Sequence, residues 1–248
     1  MLFNGFRAGI EVYDSALQEA EAFVFDFYGT IAEVDQDTPP MWQVLADLRY
    51  DCSPELEAIW ESDAFDGSTM PTLHDSPSYD DWRRGNIRSL VILSGVPAEA
   101  VEAVVSHLID LDKMWTVKPI PPALDILTSL RECGKRIGLC SNWDYPIETY
   151  LRQMGLPKFD AITTSVDVGA RKPHIRMFQD ISEKLHLDPR EIAFVGDRWS
   201  TDIVGAVRAG FRPIWLRKGQ ASRNLPQIAR EFESLIEFRS WIDLYLHK

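Results

Sequence analysis

What most constrains this chain is a rhythm in its second half, where short apolar runs alternate with segments of helical periodicity. The runs are "RIGLC" at 136–140, "FDAITT" at 159–164, "EIAFVG" at 191–196 and "RPIWLR" at 212–217. Around them lie "PPALDILTSLRECG", "YPIETYLRQMG" and "STDIVGAVRAG", which end on Gly134, Gly155 and Gly210. Proline or a small polar residue near the start and glycine just past the end mark helix boundaries. "AFVFDF" at 22–27 brings the candidate strands to five, each apolar enough to be covered on both faces. This alternation predicts an α/β fold around a parallel sheet, because parallel strands are joined by crossover helices that pack on the sheet.

The stretch between the first strand and the second reads differently. Residues 38–114 hold no convincing strand but four helical patterns: "PPMWQVLADLRY", "SPELEAIWESDAF", "SYDDWRRGNIRSLVILSGV" and "PAEAVEAVVSHLIDLDKMW". Each opens on proline or serine, and "DGSTMPTLHDSPS" at 66–78 is the one loop-like break. The expectation is a helical insert at 36–114 within a core made of 1–35 and 115–248. Hinges are expected near 32–38 and 114–119.

In an open parallel sheet, the carboxyl ends of the strands face the ligand crevice. Here those ends carry polar residues: Asp26 after the first strand, Ser141 and Asn142 after the second, and Asp197, with Asp202 one turn on, after the fourth. The loop after the third strand delivers Lys172 before Pro173. Any one aspartate in such a place is more often a cap or a turn former than a catalytic group. Asp202 taken alone reads equally well as the N-cap of the helix in "IVGAVRAG".

Together, "DFYGT", "CSN", "RKP" and "VGDRWSTD" resemble the four motifs of the haloacid dehalogenase superfamily, over about residues 22–33 and 115–217. The resemblance implies a Rossmann-like core of five parallel strands in the order 5-4-1-2-3, with the insert as a helical cap. It also implies roles. Asp26 would be the nucleophile that forms a covalent ester, later hydrolysed. Asp26, Asp197 and the Tyr28 carbonyl would hold Mg²⁺, joined by Asp202 directly or through water, since hard oxygens suit that ion. Lys172 would offset repulsion between the attacking carboxylate and an anionic substrate. Ser141 and the backbone amide of Asn142 would bind the substrate's oxygens. Gly29 permits the turn after the nucleophile, Thr30 bonds within it, and both join Trp143 and Arg198 as candidate substrate contacts.

The chain departs from the family's phosphatases at Tyr28, where most carry the aspartate that serves as general acid and base. A phenol with an ordinary pKa near ~10 donates a proton but is a poor base at neutral pH. The 2-haloacid dehalogenases of the superfamily share the Asp-x-Tyr-Gly-Thr form, and a halide leaving group needs no proton. The Gly-Asp-x4-Asp form of "VGDRWSTD" points instead to the metal-dependent phosphatases. Asp26 and Asp197 would repel each other unless a cation lay between them. The leading expectation is therefore a Mg²⁺-dependent phosphatase for a small organic phosphate. A metal-free dehalogenase, with Arg83 or Arg84 gripping a carboxylate, and a catalytically weak binding protein are the alternatives.

Composition narrows the partners. A formal net charge of −12 and a pI near 4.9 argue against nucleic-acid binding, which calls for a basic face. The N-terminus lacks the pattern of a signal peptide and no run approaches ~18 apolar residues, so a soluble cytoplasmic protein is expected. Three cysteines, Cys52, Cys133 and Cys140, without a C-x-x-C pair suggest buried hydrophobes rather than disulfides or zinc. Trp143 and Trp199 are expected at the site mouth or in the seam with the insert, and His174 on a solvent-facing first turn. His74, Trp42, Trp60 and Trp82 fall in the insert, and "NLPQIAREFESLIEFRSWIDLYLHK" reads as a closing amphipathic helix.

Overall fold

Strand β1, Ala22–Phe25, sends Phe23 and Phe25 to one face of a sheet and Ala22 and Val24 to the other, as the two-residue period of an extended chain requires. Its neighbours are parallel on both sides, β4 (Arg136–Ser141) and β6 (Ile192–Gly196). The structure, a computed structural model, describes residues 17–35, 39, 41–56, 76–112, 116–143, 147–223 and 228–246, with the backbone alone at 76–80. The full sheet runs β5-β4-β1-β6-β7-β8, with β5 at Ala161–Thr164, β7 at Arg212–Leu216 and β8 at Arg230–Phe232.

The five strands expected from the sequence all form, and they lie in the order expected for the family. The sheet is one strand wider than expected. The segment that by its sequence reads as one closing helix holds β8, which pairs in parallel with β7, matching Trp215 to Glu231, and the helix α9 is only Leu235–Tyr245. Ser234 ends the strand and caps the helix by accepting from the Glu237 amide.

Each face of the sheet has its own cover. Phe23, Phe25, Ile137, Leu139, Val195 and Ile214 pack with α4 (Ala123–Glu132), α5 (Ile147–Gln153) and α9. Val24, Cys140 and Phe194 pack under α7 (Ile175–Leu185) and α8 (Val204–Ala209). The short helix α6, Ser165–Val168, follows β5 directly. Of the cysteines Cys140 alone is fully buried, where burial pushes its thiol up to about 12; Cys52 and Cys133 are partly exposed, and none of the three forms a disulfide.

Helices α1 (Met41–Asp47), α2 (Ser76–Leu93) and α3 (Val101–Asp112) share a hydrophobic cluster of their own, built on Leu45, Ile87, Val91, Val105 and Leu108. No strand occurs among the described residues of 38–114. The loop expected at 66–78 is corrected at its end, since α2 already begins at Ser76. His74, Trp60 and most of "SPELEAIWESDAF" lie outside the described residues. The crossing points, expected near 32–38 and 114–119, hold an antiparallel ribbon of β2 (Ala32–Val34) and β3 (Val117–Pro119). Ala32 faces Pro119 and Val34 faces Val117, and the Asp35 amide extends the ribbon to Thr116. Among the described residues no helix is long and apolar enough to cross a membrane.

Candidate active site

Parallel strands that start together also end together, so β1, β4 and β6 deliver their next residues to one place. Asp26 follows β1 and keeps to the ladder through its amide, which donates to Val195 O at 2.9 Å. Its side chain is buried. Ser141, the last residue of β4, donates its hydroxyl to Asp26 Oδ1 at 3.1 Å, and Lys172 Nζ lies 2.7 Å from the same oxygen. Lys172 also donates to Asp202 Oδ1 at 2.6 Å and is only 2% exposed. One buried ammonium thus bridges two buried carboxylates. Burial acts against its charge, but Asp202 and Asp26 more than offset this and raise its pKa.

Asn142 has a further task besides the one expected of its backbone amide. Its side chain is engaged: Oδ1 accepts from Lys172 N at 2.6 Å and Nδ2 donates to Lys172 O at 3.0 Å. These two hydrogen bonds to the backbone of one residue fix the loop that presents the lysine. His174, half-buried, caps α7 through Nδ1 instead of facing solvent freely.

Asp202 is corrected too. It lies within a π-helical turn, Trp199–Ile203, and its Oδ2 accepts from the Arg198 amide at 3.0 Å, while α8 takes no side-chain cap. Both oxygens therefore have partners. Burial raises its carboxyl to about 6, with Lys172 acting in the opposite direction. Asp197 follows β6; burial and then Asp26 raise its pKa, while Lys218, at 3.2 Å from Oδ2, lowers it. Carboxylate oxygens of Asp26, Asp197 and Asp202 all lie within 4.8 Å of one another. Three anionic groups this close, against one buried ammonium, form a donor set of hard oxygens that fits a divalent cation such as Mg²⁺.

The turn after Asp26 wraps closely around this cluster. Gly29 has φ 83°, and a β-carbon there would stand 2.6 Å from Asp197 Oδ2, so both the backbone conformation and the space demand glycine. The buried Thr30 hydroxyl sits 3.5 Å from both Asp26 Oδ2 and Asp197 Oδ1 and can donate to one at a time. Tyr28 bridges to Ala32 through its backbone, and its side chain is 44% exposed. Burial, then the Asp197 charge, raises the phenol's pKa, so it is neutral at physiological pH. Arg198 is exposed at the rim.

The tryptophans divide. Trp143 packs edge-on against Phe27 at 4.8 Å and Tyr150 at 5.2 Å, and its buried indole N–H has no acceptor among the described residues. Trp199 packs on Trp215 and under the Arg223 guanidinium. Trp42 and Trp82 are half-buried in the insert. Arg84 is held by Glu102 at 2.9 Å and by Ser106, both on α3.

Sequence reasoning missed two residues. Trp215 donates its indole N–H to Asp197 O at 3.1 Å, and Lys218 reaches both Gly29 O and Asp197. The strand-end rule itself points to this turn, since Lys218 follows β7 closely, but a lysine beside a glycine carries no pattern of its own.

A sheet of this order with these carboxylates at its ends defines a class, and comparison with known proteins names it. Residues 20–210 match the model of the haloacid dehalogenase-like hydrolase family, and the chain belongs to that family. It is 30% identical over 114 residues to a glyceraldehyde 3-phosphate phosphatase of Methanopyrus kandleri, covering 44% of this chain and 47% of that protein. It is 28% identical over 166 residues to the mouse haloacid dehalogenase-like hydrolase domain-containing protein 3, covering 62% and 66%. The matches thus span about half to two thirds of these relatives. In fold the chain resembles a dehalogenase solved with an intermediate complex, at TM-score 0.64 and 19% identity over 92% of this chain and 98% of that one. It is equally similar to the hydrolase YfnB of Bacillus subtilis, at TM-score 0.64 and 19% identity over 90% and 99%.

Proposed function

We propose that this protein is a Mg²⁺-dependent phosphatase that hydrolyses a small organic phosphate through a covalent phosphate ester on Asp26. The observation that carries the reading is the buried cluster in which Lys172 bridges Asp26 and Asp202, while Asp197 stands beside them with the more exposed Lys218 as its ion-pair partner. Relatives that bear the name of a sugar-phosphate phosphatase support a phosphate monoester as the substrate class. In this reading the enzyme works in the cytoplasm, and residues 36–114 form a cap that covers the site and selects the substrate.

Asp26, Asp197 and the Tyr28 carbonyl would hold the ion, with Asp202 linked through water because its own oxygens are already engaged. When bound, Mg²⁺ supplies positive charge against the carboxylates and the phosphate oxygens. The chain's residues do the rest. An oxygen of Asp26 attacks phosphorus, a bond from Asp26 to phosphorus forms, and the bond from phosphorus to the ester oxygen breaks. Lys172 stabilises the charge that gathers there, and Ser141 keeps the carboxylate oriented through Oδ1. Water then attacks the same phosphorus, which releases inorganic phosphate and restores the Asp26 carboxylate. Asn142 keeps Lys172 in place throughout. Thr30, Gly29, Arg198 and Trp143 are the residues that this reading sets against the substrate, with Arg198 exposed and Thr30 buried beside Asp26.

The test is a panel of phosphate esters and 2-haloacids assayed with Mg²⁺ and with a chelator. Phosphate release that needs Mg²⁺ and disappears in Asp26→Asn is the expected result. Turnover of 2-haloacids in chelator would replace this reading by a metal-free dehalogenase, a possibility that Tyr28 keeps in view. Silence on every substrate, with a folded protein, would favour a binding role.

A further inference from the structure

The turn after β7 brings a second ammonium to the carboxylates. Residues 217–220 fold back on themselves, with Gln220 N donating to Arg217 O, and the turn is pinned to the chain that follows β8. Lys218 N donates to Glu233 O at 3.0 Å, Gly219 N to Glu233 Oε1 at 2.6 Å, and Arg217 pairs with Glu233 Oε2 at 2.6 Å. Held this way, Lys218 has φ 50°, in the left-handed region that residues with a β-carbon rarely occupy. Such strain persists where the surroundings over-determine it, and it gathers at functional sites. From this backbone the side chain crosses to the site, where Nζ donates to Gly29 O and stands 3.2 Å from Asp197 Oδ2.

We propose that Lys218 is a displaceable counter-cation of Asp197 that competes with Mg²⁺ and so sets the affinity of the site for the metal. The inference rests on the metal-dependent reading above. The two lysines differ in the property that matters. Lys172 is 2% exposed and tied to two buried carboxylates, so it cannot leave without stranding charge. Lys218 is 38% exposed and holds a single carboxylate, so its ammonium can turn into water at little cost. A Mg²⁺ ion about 2.1 Å from an Asp197 oxygen would stand within roughly 8 Å of that ammonium, inside the distance over which salt at physiological strength leaves charges in contact. The two cations repel, and the metal binds as the lysine withdraws.

Isothermal titration of purified protein with MgCl₂ tests this in wild type, Lys218→Gln and Lys218→Arg at low and high salt. Loss of one positive charge at this range is expected to tighten Mg²⁺ binding in Lys218→Gln by about tenfold at low salt. The gain should shrink at high salt, and Lys218→Arg should stay within about threefold of wild type. If glutamine at φ 50° unfolds the turn, Lys218→Gly removes the same charge and accepts that backbone. Binding in the neutral variant that equals or falls below wild type would overturn the competition, as would a gain that salt leaves untouched. Absence of Mg²⁺ binding in every variant, wild type included, would instead overturn the metal-dependent reading on which this one stands.

Discussion

At Gly196 a β-carbon would lie 2.4 Å from Oδ2 of Asp202 and 2.5 Å from its Cβ, contacts that no small rotation relieves. The strand end and the carboxylate are therefore fitted to each other. Gly196→Ala is expected to destabilise the protein by about 1–3 kcal/mol through overpacking, measured by urea unfolding, and to weaken Mg²⁺ binding as Asp202 loses its grip on Lys172. Tyr28 supports a prediction of the opposite sign. If it stands where an acid–base carboxylate is missing, Tyr28→Asp should raise hydrolysis of alkyl phosphates by something approaching ~10²–10⁴, while aryl or acyl phosphates, whose leaving groups need little protonation, should gain far less. No gain, with Mg²⁺ still bound, would mean that the phenol shapes the pocket rather than replacing a lost catalyst. Most of these residues were legible because the strand-end rule places them: Asp26, Ser141, Lys172, Asp197 and Asp202 all meet where β1, β4 and β6 end. What the rule could not say is that the Asn142 side chain holds Lys172, because that pairing of residues far apart in sequence exists only in the folded loop.

Among the elements, α9 and β8 behave as one unit. Phe238 is fully buried and its ring contacts those of Phe23, Phe25, Phe232 and Trp241, so it joins helix, central strand and edge strand. Phe238→Ala is expected to cost about 3–5 kcal/mol, as deletion of a large buried ring does, read as a lower urea midpoint. An unchanged midpoint would mean that the edge strand and helix fold independently of the sheet. The five inner strands could be read because each is an apolar run between helix boundaries. β8 could not, since "REF" is short and two-thirds charged and takes its extended form from pairing with β7 rather than from its own composition. The ribbon of β2 and β3 escaped for the same reason: "AEV" and "VKP" become strands only by meeting each other.

For the molecule as a whole, the raised carboxyls of Asp197 and Asp202 tie stability to pH. A carboxyl whose folded pKa exceeds the unfolded value of 3.8 keeps its proton longer in the native state, so its contribution falls as pH rises above that value, for Asp202 over the interval from about 4 to about 6. Mg²⁺ binds the ionised groups, and its stabilisation should grow through the same interval. The rise in thermal midpoint on adding Mg²⁺ is thus expected to be larger near pH 7.5 than near pH 5; equal shifts would mean that these carboxyls do not take up protons on the way. Lys172 acts at the other extreme, contributing stability that is complete below about 10.5 and lost only as pH climbs past its raised pKa. The ribbon of β2 and β3 has a consequence of another kind. Because Val34 lies opposite Val117 and the Asp35 amide donates to Thr116 O, the chain departs and returns through neighbouring residues, a narrow doorway for the backbone. In evolutionary terms that doorway is a splice point: exchanging the intervening stretch for another, or shortening it to a tight turn, is expected to leave the ends of the strands that carry the carboxylates in place.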